Sequence, residues 1–238
     1  MNLILFAQGE LKDEVLSLEG ERAAHIAGVL RAAVGDRLRV GQIDGPLGTA
    51  RVRRVSDVLV ELDELELGET PPEQPIDLLL ALPRPKVLAR LLSPIAQLGV
   101  RRIYLSGAWK VERFYFDAHV LAPEAMRVHL LEGLAQVKDT RVPEVSIHRS
   151  LTFLVRDELN ALLPPETERL VCDPRAALLE QTPRVAKHTL LAFGPEGGFT
   201  EREDRLFAEH AFVPVGLGER TLRSDVAVLA ALARAHAR

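Results

Sequence analysis

At 238 residues and 47% hydrophobic content, the chain can bury cores for one large domain or, better, for a small and a medium one. A net charge of −4 excludes a protein that coats nucleic acid indiscriminately, and no apolar run is long enough to cross a bilayer. The single cysteine, Cys172, excludes an internal disulfide or a thiolate metal cluster, and the seven histidines lack HxxxH or HxH spacing, so no metal site is expected.

The opening residues Met1 to Ala7 lack the basic and long apolar segments of a signal peptide, which makes a cytoplasmic location the expectation. Leu3 to Ala7 predicts a first strand. Gly20 to Arg31 predicts a short helix with Ala23, Ala24, Ile26, Ala27 and Leu30 on one side. After a turn at Gly35-Asp36, Leu38 and Val40, then Val52 and Val55, then Val58, Val60 and Leu62 alternate with polar residues at the period of half-buried strands. Further turns fall at Asp44-Gly45-Pro46 and Ser56-Asp57, so this block reads as a small, mostly β module, a barrel rather than an open sheet. Between Arg22 and Arg54 it carries Arg22, Arg31, Arg37, Arg39, Arg51, Arg53 and Arg54 against only Asp36 and Asp44. Such a cluster serves either as a set of phosphate contacts or simply as solvated strand faces.

The stretch from Gly68 to Pro75 holds three prolines and no side chain able to anchor a core, which predicts a boundary between domains at 1–72 and 73–238. Beyond it strand and helix alternate. Ile76 to Leu82 is a near-continuous apolar run, as expected of a parallel strand covered on both faces. A helix from about Lys86 to Leu98 ends at Gly99. A strand at Arg102 to Ser106 follows, then a long helix from Pro123 to Lys138 that buries Met126, Leu130, Leu131 and Leu134. Phe153 to Leu163 predicts another helix, stopped by Pro164-Pro165. Strands at Leu170 to Asp173, Thr189 to Phe193 and Ala211 to Gly216 lead to a final alanine-rich helix from Ser224 to His236. The last two-thirds of the chain is therefore an α/β sheet domain.

Two glycine-bearing segments, Gly194-Pro195-Glu196-Gly197-Gly198-Phe199-Thr200 and Leu217 to Asp225, each follow a strand and open into a helix. Open α/β sheets place ligands at such edges, and glycine lets backbone turn or approach a ligand closely. Thr200 and Glu203 form a capping box for the helix that follows the first loop. A plain strand–turn–helix connection fits the first loop equally well. It is neither a P-loop, since no lysine follows its glycines, nor a dinucleotide fingerprint, and no nucleophile elbow is present.

Gly194 to Phe199, followed by Leu217-Gly218 and Leu222-Arg223-Ser224-Asp225, resembles the bacterial small-subunit ribosomal RNA uridine-N3 methyltransferases of the SPOUT superfamily. His25-Ile26-Ala27-Gly28-Val29-Leu30-Arg31 with Val34-Gly35-Asp36 is similar to that family's HLxxVLR…VGD signature. Leu98-Gly99-Val100 and Gln136…Arg141-Val142-Pro143 are similar to its two middle motifs. The resemblance implies a PUA-like β-barrel followed by an α/β domain with a deep trefoil knot, S-adenosylmethionine as cofactor, ribosomal RNA or the small subunit as partner, and a homodimer. It places the cofactor at Gly194, Pro195, Glu196, Gly197, Gly198, Leu217, Gly218 and Leu222, and RNA at Arg22, Arg31, Arg53, Arg54, Gln136 and Arg141. Catalysis falls to Arg223, Glu196 and Asp225: a fixed guanidinium favours the uracil anion, whereas either carboxylate needs burial to act as a base. Arg223 and Asp225 also suit helix capping and dimer salt bridging.

The chain departs from the family where Gln97 precedes Leu98-Gly99-Val100, at Ala135-Gln136 and at Arg223-Ser224-Asp225-Val226-Ala227. Arg84-Pro85 stands in place of a lysine–glycine pair, and Gly107-Ala108-Trp109-Lys110 in place of a serine-containing segment. These changes leave two rivals, a knotted RNA methyltransferase acting on another base or a ribose 2′-hydroxyl, and a non-catalytic RNA-binding ribosome-assembly protein.

Overall fold

The alternation of apolar and polar residues between Ile4 and Leu67 becomes six strands: β1 (Ile4–Phe6), β2 (Leu11–Lys12), β3 (Val15–Glu19), β4 (Arg37–Gln42), β5 (Leu47–Val55) and β6 (Leu59–Leu67). They form one sheet in a computed structural model that describes residues 3–176, 178 and 188–236. Its order is β1-β4-β5-β6-β3-β2, with β1 parallel to β4 and the remaining neighbours antiparallel. Phe6 on β1 and Leu16 and Leu18 on β3, from opposite ends of that order, share one buried cluster with Val40, Val52 and Leu62. The sheet therefore curls around a single core. Helix α1 (Glu21–Ala24) runs on into a wider helical turn, His25–Val29, and adds Ala23 and Ile26 to the same cluster.

Strands β2 and β3 are additions to the sequence reading, although Leu16 and Leu18, buried between exposed Ser17 and Glu19, show the period of two plainly. A shift of register between Val52 and Arg54 interrupts the β5–β6 ladder. Such a bulge adds a residue to one strand and re-aims its neighbours, which is why Arg53 and Arg54 both face solvent instead of alternating.

The chain divides into two compact units, Met1–Glu73 with Leu131–Val142, and Gln74–Leu130 with Pro143–Arg238. Within the first, Leu3 donates its N–H to the Ala135 carbonyl at 2.8 Å, and the Thr140 hydroxyl donates to the Gly45 carbonyl at 2.6 Å. A Cβ on Gly41 would stand 2.6 Å from the Thr140 methyl group, so glycine makes room for this segment.

The second unit holds β7 (Ile76–Ala81), β8 (Arg102–Ser106), β9 (Glu144–His148), β10 (Thr167–Cys172), β11 (His188–Phe193) and β12 (Phe212–Val215). All are parallel, in the order β12-β10-β11-β7-β8-β9. Every residue of β7 and β11 is buried, which explains their apolar stretches Leu78 to Ala81 and Leu190 to Phe193. The helices are α2 (Pro85–Gln97), α3 (Pro123–Val137), of which the part up to Leu130 belongs to this unit, α4 (Leu151–Phe153), which continues through Leu154–Glu158 into α5 (Leu159–Leu162), α6 (Glu201–Glu209) and α7 (Ser224–His236). Gly99, at φ +66°, takes the left-handed conformation expected of a residue that ends a helix.

One face of the sheet, through Leu79, Tyr104, Val171 and Leu190, packs on Leu151, Leu154, Leu159 and Phe207. On the remaining elements, α2 buries Leu88, Leu91, Leu92 and Ile95, α7 buries Val228, Ala231 and Leu232, and α7 packs on both α2 and β11. At the amino ends of β7 and β11, Asp77 is fully buried. It accepts two hydrogen bonds from Arg101, at 3.1 and 2.9 Å, and lies 3.4 Å from the His188 ring. Strand β9 is the other strand missing from the sequence reading; as a mostly half-exposed edge strand it lacks an apolar run.

Candidate functional site

Because the sheet is parallel, the carboxyl ends of neighbouring β12, β10 and β11 open onto one edge, opposite the buried Asp77 cluster. A cavity of about 690 Å³ lies there, a size suited to a small cofactor. Val171, Phe193 and Val215 from the strand ends, with Phe207 and Phe212, supply apolar lining. Phe207 stands edge-on to Phe199 and to Phe212, at 4.7 and 4.8 Å between ring centres, which braces this lining from behind.

The two glycine loops form the rest. Gly194, Pro195, Glu196, Gly197 and Gly198 line the cavity after β11, and Leu217, Gly218 and Leu222 line it after β12. Gly218 adopts φ +127°, a conformation open essentially to glycine alone. Gly197 is pressed by Lys110, whose side chain a Cβ would meet at 3.0 Å and whose ammonium donates to the Gly197 carbonyl at 2.6 Å. These glycines bring backbone to the cavity wall beside the apolar lining.

Carboxylates complete the cavity. Asp173, Asp204 and Glu196 all line it, and Arg175 bridges Asp173 at 2.9 Å and Asp204 at 3.3 Å. The hydrogen bonds from Arg175 hold the Asp173 carboxyl below the usual carboxylate range, so it is anionic at neutral pH. Cys172 lines the cavity too, with a thiol that burial pushes up to about 12, leaving it an inert apolar group. Lys110, Arg175 and Arg220 line it as well, so acidic and basic groups balance, and the site suits a ligand with a flat apolar part, polar edges and charges of both signs.

The first loop is braced from two directions. Glu196 accepts from the Arg84 backbone N–H at 3.4 Å, with the guanidinium 3.9 Å away. Glu203, at the start of α6, is 92% buried by neighbours and only 8% exposed; it accepts from the Thr200 N–H and hydroxyl, each at 2.8 Å, and from the Trp109 N–H at 2.8 Å. The capping box read from the sequence thus has a second task, tying the segment after β8 to the glycine loop.

Arg223 and Asp225 are not part of the cavity lining, although Leu222 and Ser224 on either side are. Asp225 accepts from Arg223 at 2.8 Å and from Arg90 at 3.4 Å, and the Arg223 side chain stays 71% exposed. Glu196 and Asp225 are not brought together by any shared contact among the described residues. Arg84, Arg90, Lys110, Glu203 and the cavity-lining Arg220 were not singled out as site residues by sequence reasoning. Arg84 and Lys110 do fall in the two segments that depart from the family pattern, and that departure was the only signal for them.

The RNA candidates lie in the first unit. Arg31, at φ +53°, Arg53 and Arg54 are exposed and carry no ion-pair partner among the described residues. Gln136 is exposed near the end of α3. Arg22 pairs with Glu10 and donates to the Leu5 carbonyl at 3.2 Å, while Arg141 donates to the Pro71 carbonyl at 3.0 Å. Arg37 and Arg51 are occupied by Glu64, Glu66 and Asp63.

A family model described as RNA methyltransferase domain matches residues 70–236. The chain belongs to the RNA methyltransferase family. Over its full length this family member is 32% identical to "Ribosomal RNA small subunit methyltransferase E" of Treponema pallidum, covering 92% of that relative. It is 27% identical to the protein of the same name from Bacillus subtilis, over 91% of this chain and 87% of that one. Among solved structures, the ribosomal RNA small subunit methyltransferase E of Neisseria gonorrhoeae bound to S-adenosyl methionine superposes with a TM-score of 0.77 at 22% identity, covering 98% of this chain and 95% of that one. A probable rRNA-methyltransferase from Porphyromonas gingivalis reaches 0.78 at 22% identity, over 99% and 97%. At these identities the structures establish a shared fold for the RNA methyltransferase, a mixed α/β architecture with a parallel sheet.

Proposed function

We propose that this protein transfers a methyl group from S-adenosylmethionine to N3 of a uridine in small-subunit ribosomal RNA. The observation that carries the reading is the glycine-walled cavity at the carboxyl ends of β10, β11 and β12 in an RNA methyltransferase whose full-length relatives are named for that RNA. The residues present fit the donor: the backbone turns at Gly194, Gly197 and Gly218 suit its polar edges, Phe193, Phe207 and Phe212 its apolar part, and Asp173, Asp204 and Glu196, set against Lys110, Arg175 and Arg220, the opposite charges of its amino-acid portion. When bound, S-adenosylmethionine supplies an electrophilic methyl group on a sulfonium.

The protein's own part is to align the acceptor, exclude water and manage the N3 proton. Arg223 favours the uracil anion by placing a permanent cation near its carbonyl oxygens. Asp225 aims that guanidinium, and Glu196, held by Arg84, is the carboxylate nearest the glycine loop and the second candidate for proton handling. Loss of methyl transfer in Arg223→Ala, in a preparation that still binds the donor, is the expected result; transfer at near wild-type rate removes Arg223 from the mechanism.

The fold reading extends in the same way. The first domain, residues 1–72, is a PUA-like barrel that contacts RNA phosphates through Arg22, Arg31, Arg53 and Arg54, with Gln136 and Arg141 beyond it; the second, 73–238, is a SPOUT-type domain with a deep trefoil knot. Supporting the knot, β12 lies at the sheet edge beyond β10, yet α7, which follows it, packs back on β11. Leu178, between β10 and β11, bridges to Gly216 on the returning segment. The protein acts as a cytoplasmic homodimer. The test is mass mapping of nucleosides after incubating purified protein and S-adenosylmethionine with small ribosomal subunits from a strain lacking the gene. 3-Methyluridine is expected; methyl on a ribose or another base selects the rival enzyme, and no donor binding selects the assembly protein.

A further inference from the structure

The sole tryptophan of the chain, Trp109, is 82% exposed. Leaving an indole in water forgoes one of the largest gains in burial available to a side chain, and it points to an occupant when the backbone that carries it is fixed and its segment bears further exposed aromatics, here Phe114. The support here is rigid. The Trp109 backbone N–H is bound by buried Glu203 at 2.8 Å, and its neighbour Lys110 is anchored to the Gly197 carbonyl at 2.6 Å while lining the cavity. Two residues earlier, Gly107 donates to the His148 carbonyl at 2.8 Å, and a Cβ there would stand 2.3 Å from the Arg149 carbonyl. The backbone on both sides of the indole is therefore fixed, and the ring is left in solvent.

The segment that carries Trp109, and the Arg149 backbone and Phe116 ring that face Gly107 two residues before it, specify the occupant's chemistry. Arg149 is exposed and lies over the Phe116 ring at 5.1 Å, Arg113 is exposed, and Phe114 is 65% exposed. Aromatic faces interleaved with cations are how proteins hold unpaired nucleotides, the rings stacking on bases and the cations meeting phosphates.

We propose that Trp109 is the platform on which the second unit stacks an unpaired base of its RNA substrate beside the methyl-donor cavity, with Arg113 and Arg149 on the flanking phosphates. This rests on the reading of the cavity as an RNA-methylating site. Trp109 acts as a positioning residue: it sets where the RNA sits and takes no part in proton or methyl transfer.

The uniqueness of the tryptophan makes the test direct, because the intrinsic indole emission of the unmodified protein reports this ring alone. Titration with small-subunit ribosomal RNA is expected to quench it saturably, and S-adenosylmethionine alone is expected to leave the RNA-dependent quench in place. In methyl-transfer assays Trp109→Ala raises KM for RNA roughly tenfold to a hundredfold, the span of one lost base stack, with donor affinity within about twofold of wild type. Trp109→Phe, which keeps a stacking face, recovers most of the loss. Unquenched emission, or an unchanged KM in Trp109→Ala, overturns the proposal; so does dissociation of a dimer in that variant with RNA affinity intact, which assigns the ring to a second copy of the chain. If wild-type protein methylates no RNA, the reading of the site fails instead, and the two failures are distinguishable.

Discussion

Replacing Glu203 by glutamine preserves volume and changes only what the two ends of the side chain offer. The carboxylate accepts from two backbone N–H groups on different segments, Trp109 through one oxygen and Thr200 through the other, both at 2.8 Å. A glutamine has one carbonyl, so whichever way it is turned its NH₂ faces a backbone donor and one buried N–H loses its partner. A lost hydrogen bond to a charged group with a donor left unsatisfied costs about 2 kcal/mol, and Glu203→Ala, which removes both acceptor oxygens and all three hydrogen bonds they accept, about 3–4 kcal/mol. For a chain of this size, about 2 kcal/mol lowers the melting temperature by roughly 4–8 °C. Because the same bonds hold the glycine loop, donor affinity measured by calorimetry should fall about tenfold in Glu203→Gln, or roughly 1.4 kcal/mol. A glutamine variant that melts within about 1 °C of wild type and binds S-adenosylmethionine equally well would refute the coupling between cap and cavity, since about 2 kcal/mol cannot hide in so small a shift.

Gly218→Ala meets open space at Cβ, so its effect is backbone strain alone at φ +127°, and calorimetry should show donor binding weakened by about 1–3 kcal/mol with the first unit unaffected. Burial alone would raise the Asp77 carboxyl, but the His188 ring and the bidentate Arg101 outweigh it and hold the group below its ordinary value of 3.8. Its stabilising contribution is therefore present above about pH 4 and lost as pH falls further, and Asp77→Asn should flatten the acid limb of a denaturation profile while lowering stability at neutral pH. Neutralising Arg53 and Arg54 should reduce the salt dependence of RNA binding by about 0.7 in slope per lost phosphate contact and leave donor affinity unchanged; an unaltered slope excludes the patch.

Much of the α/β unit is legible because each segment carries its own burial record. The apolar runs of β7 and β11, the stripe of α3 through Met126, Leu130 and Leu134, and the caps at Gly99 and Thr200 are local features, readable within a few residues. Strand β9 escaped because an edge strand with a half-exposed face has no such record, whereas β3 carries one in its alternation and escaped for its shortness, five residues. Resemblance did what periodicity could not for the two glycine loops, since nothing in the spacing of Gly194, Gly197 and Gly218 says that they wall one cavity.

The sequence by itself determined the class of the strongly patterned segments, the two glycine loops and the cap that starts α6, because these depend on periodicity, backbone freedom and interactions three residues apart. Only the tertiary structure decided that Trp109 and Glu203, 94 residues apart, share a hydrogen bond, that Arg84 reaches Glu196 across 112, and that Leu131–Val142 belongs with the first unit. Those contacts follow from the strand order β12-β10-β11-β7-β8-β9, which brings distant strand ends to one edge. That order is set by which buried faces match across the whole sheet, and no stretch of the chain records it alone.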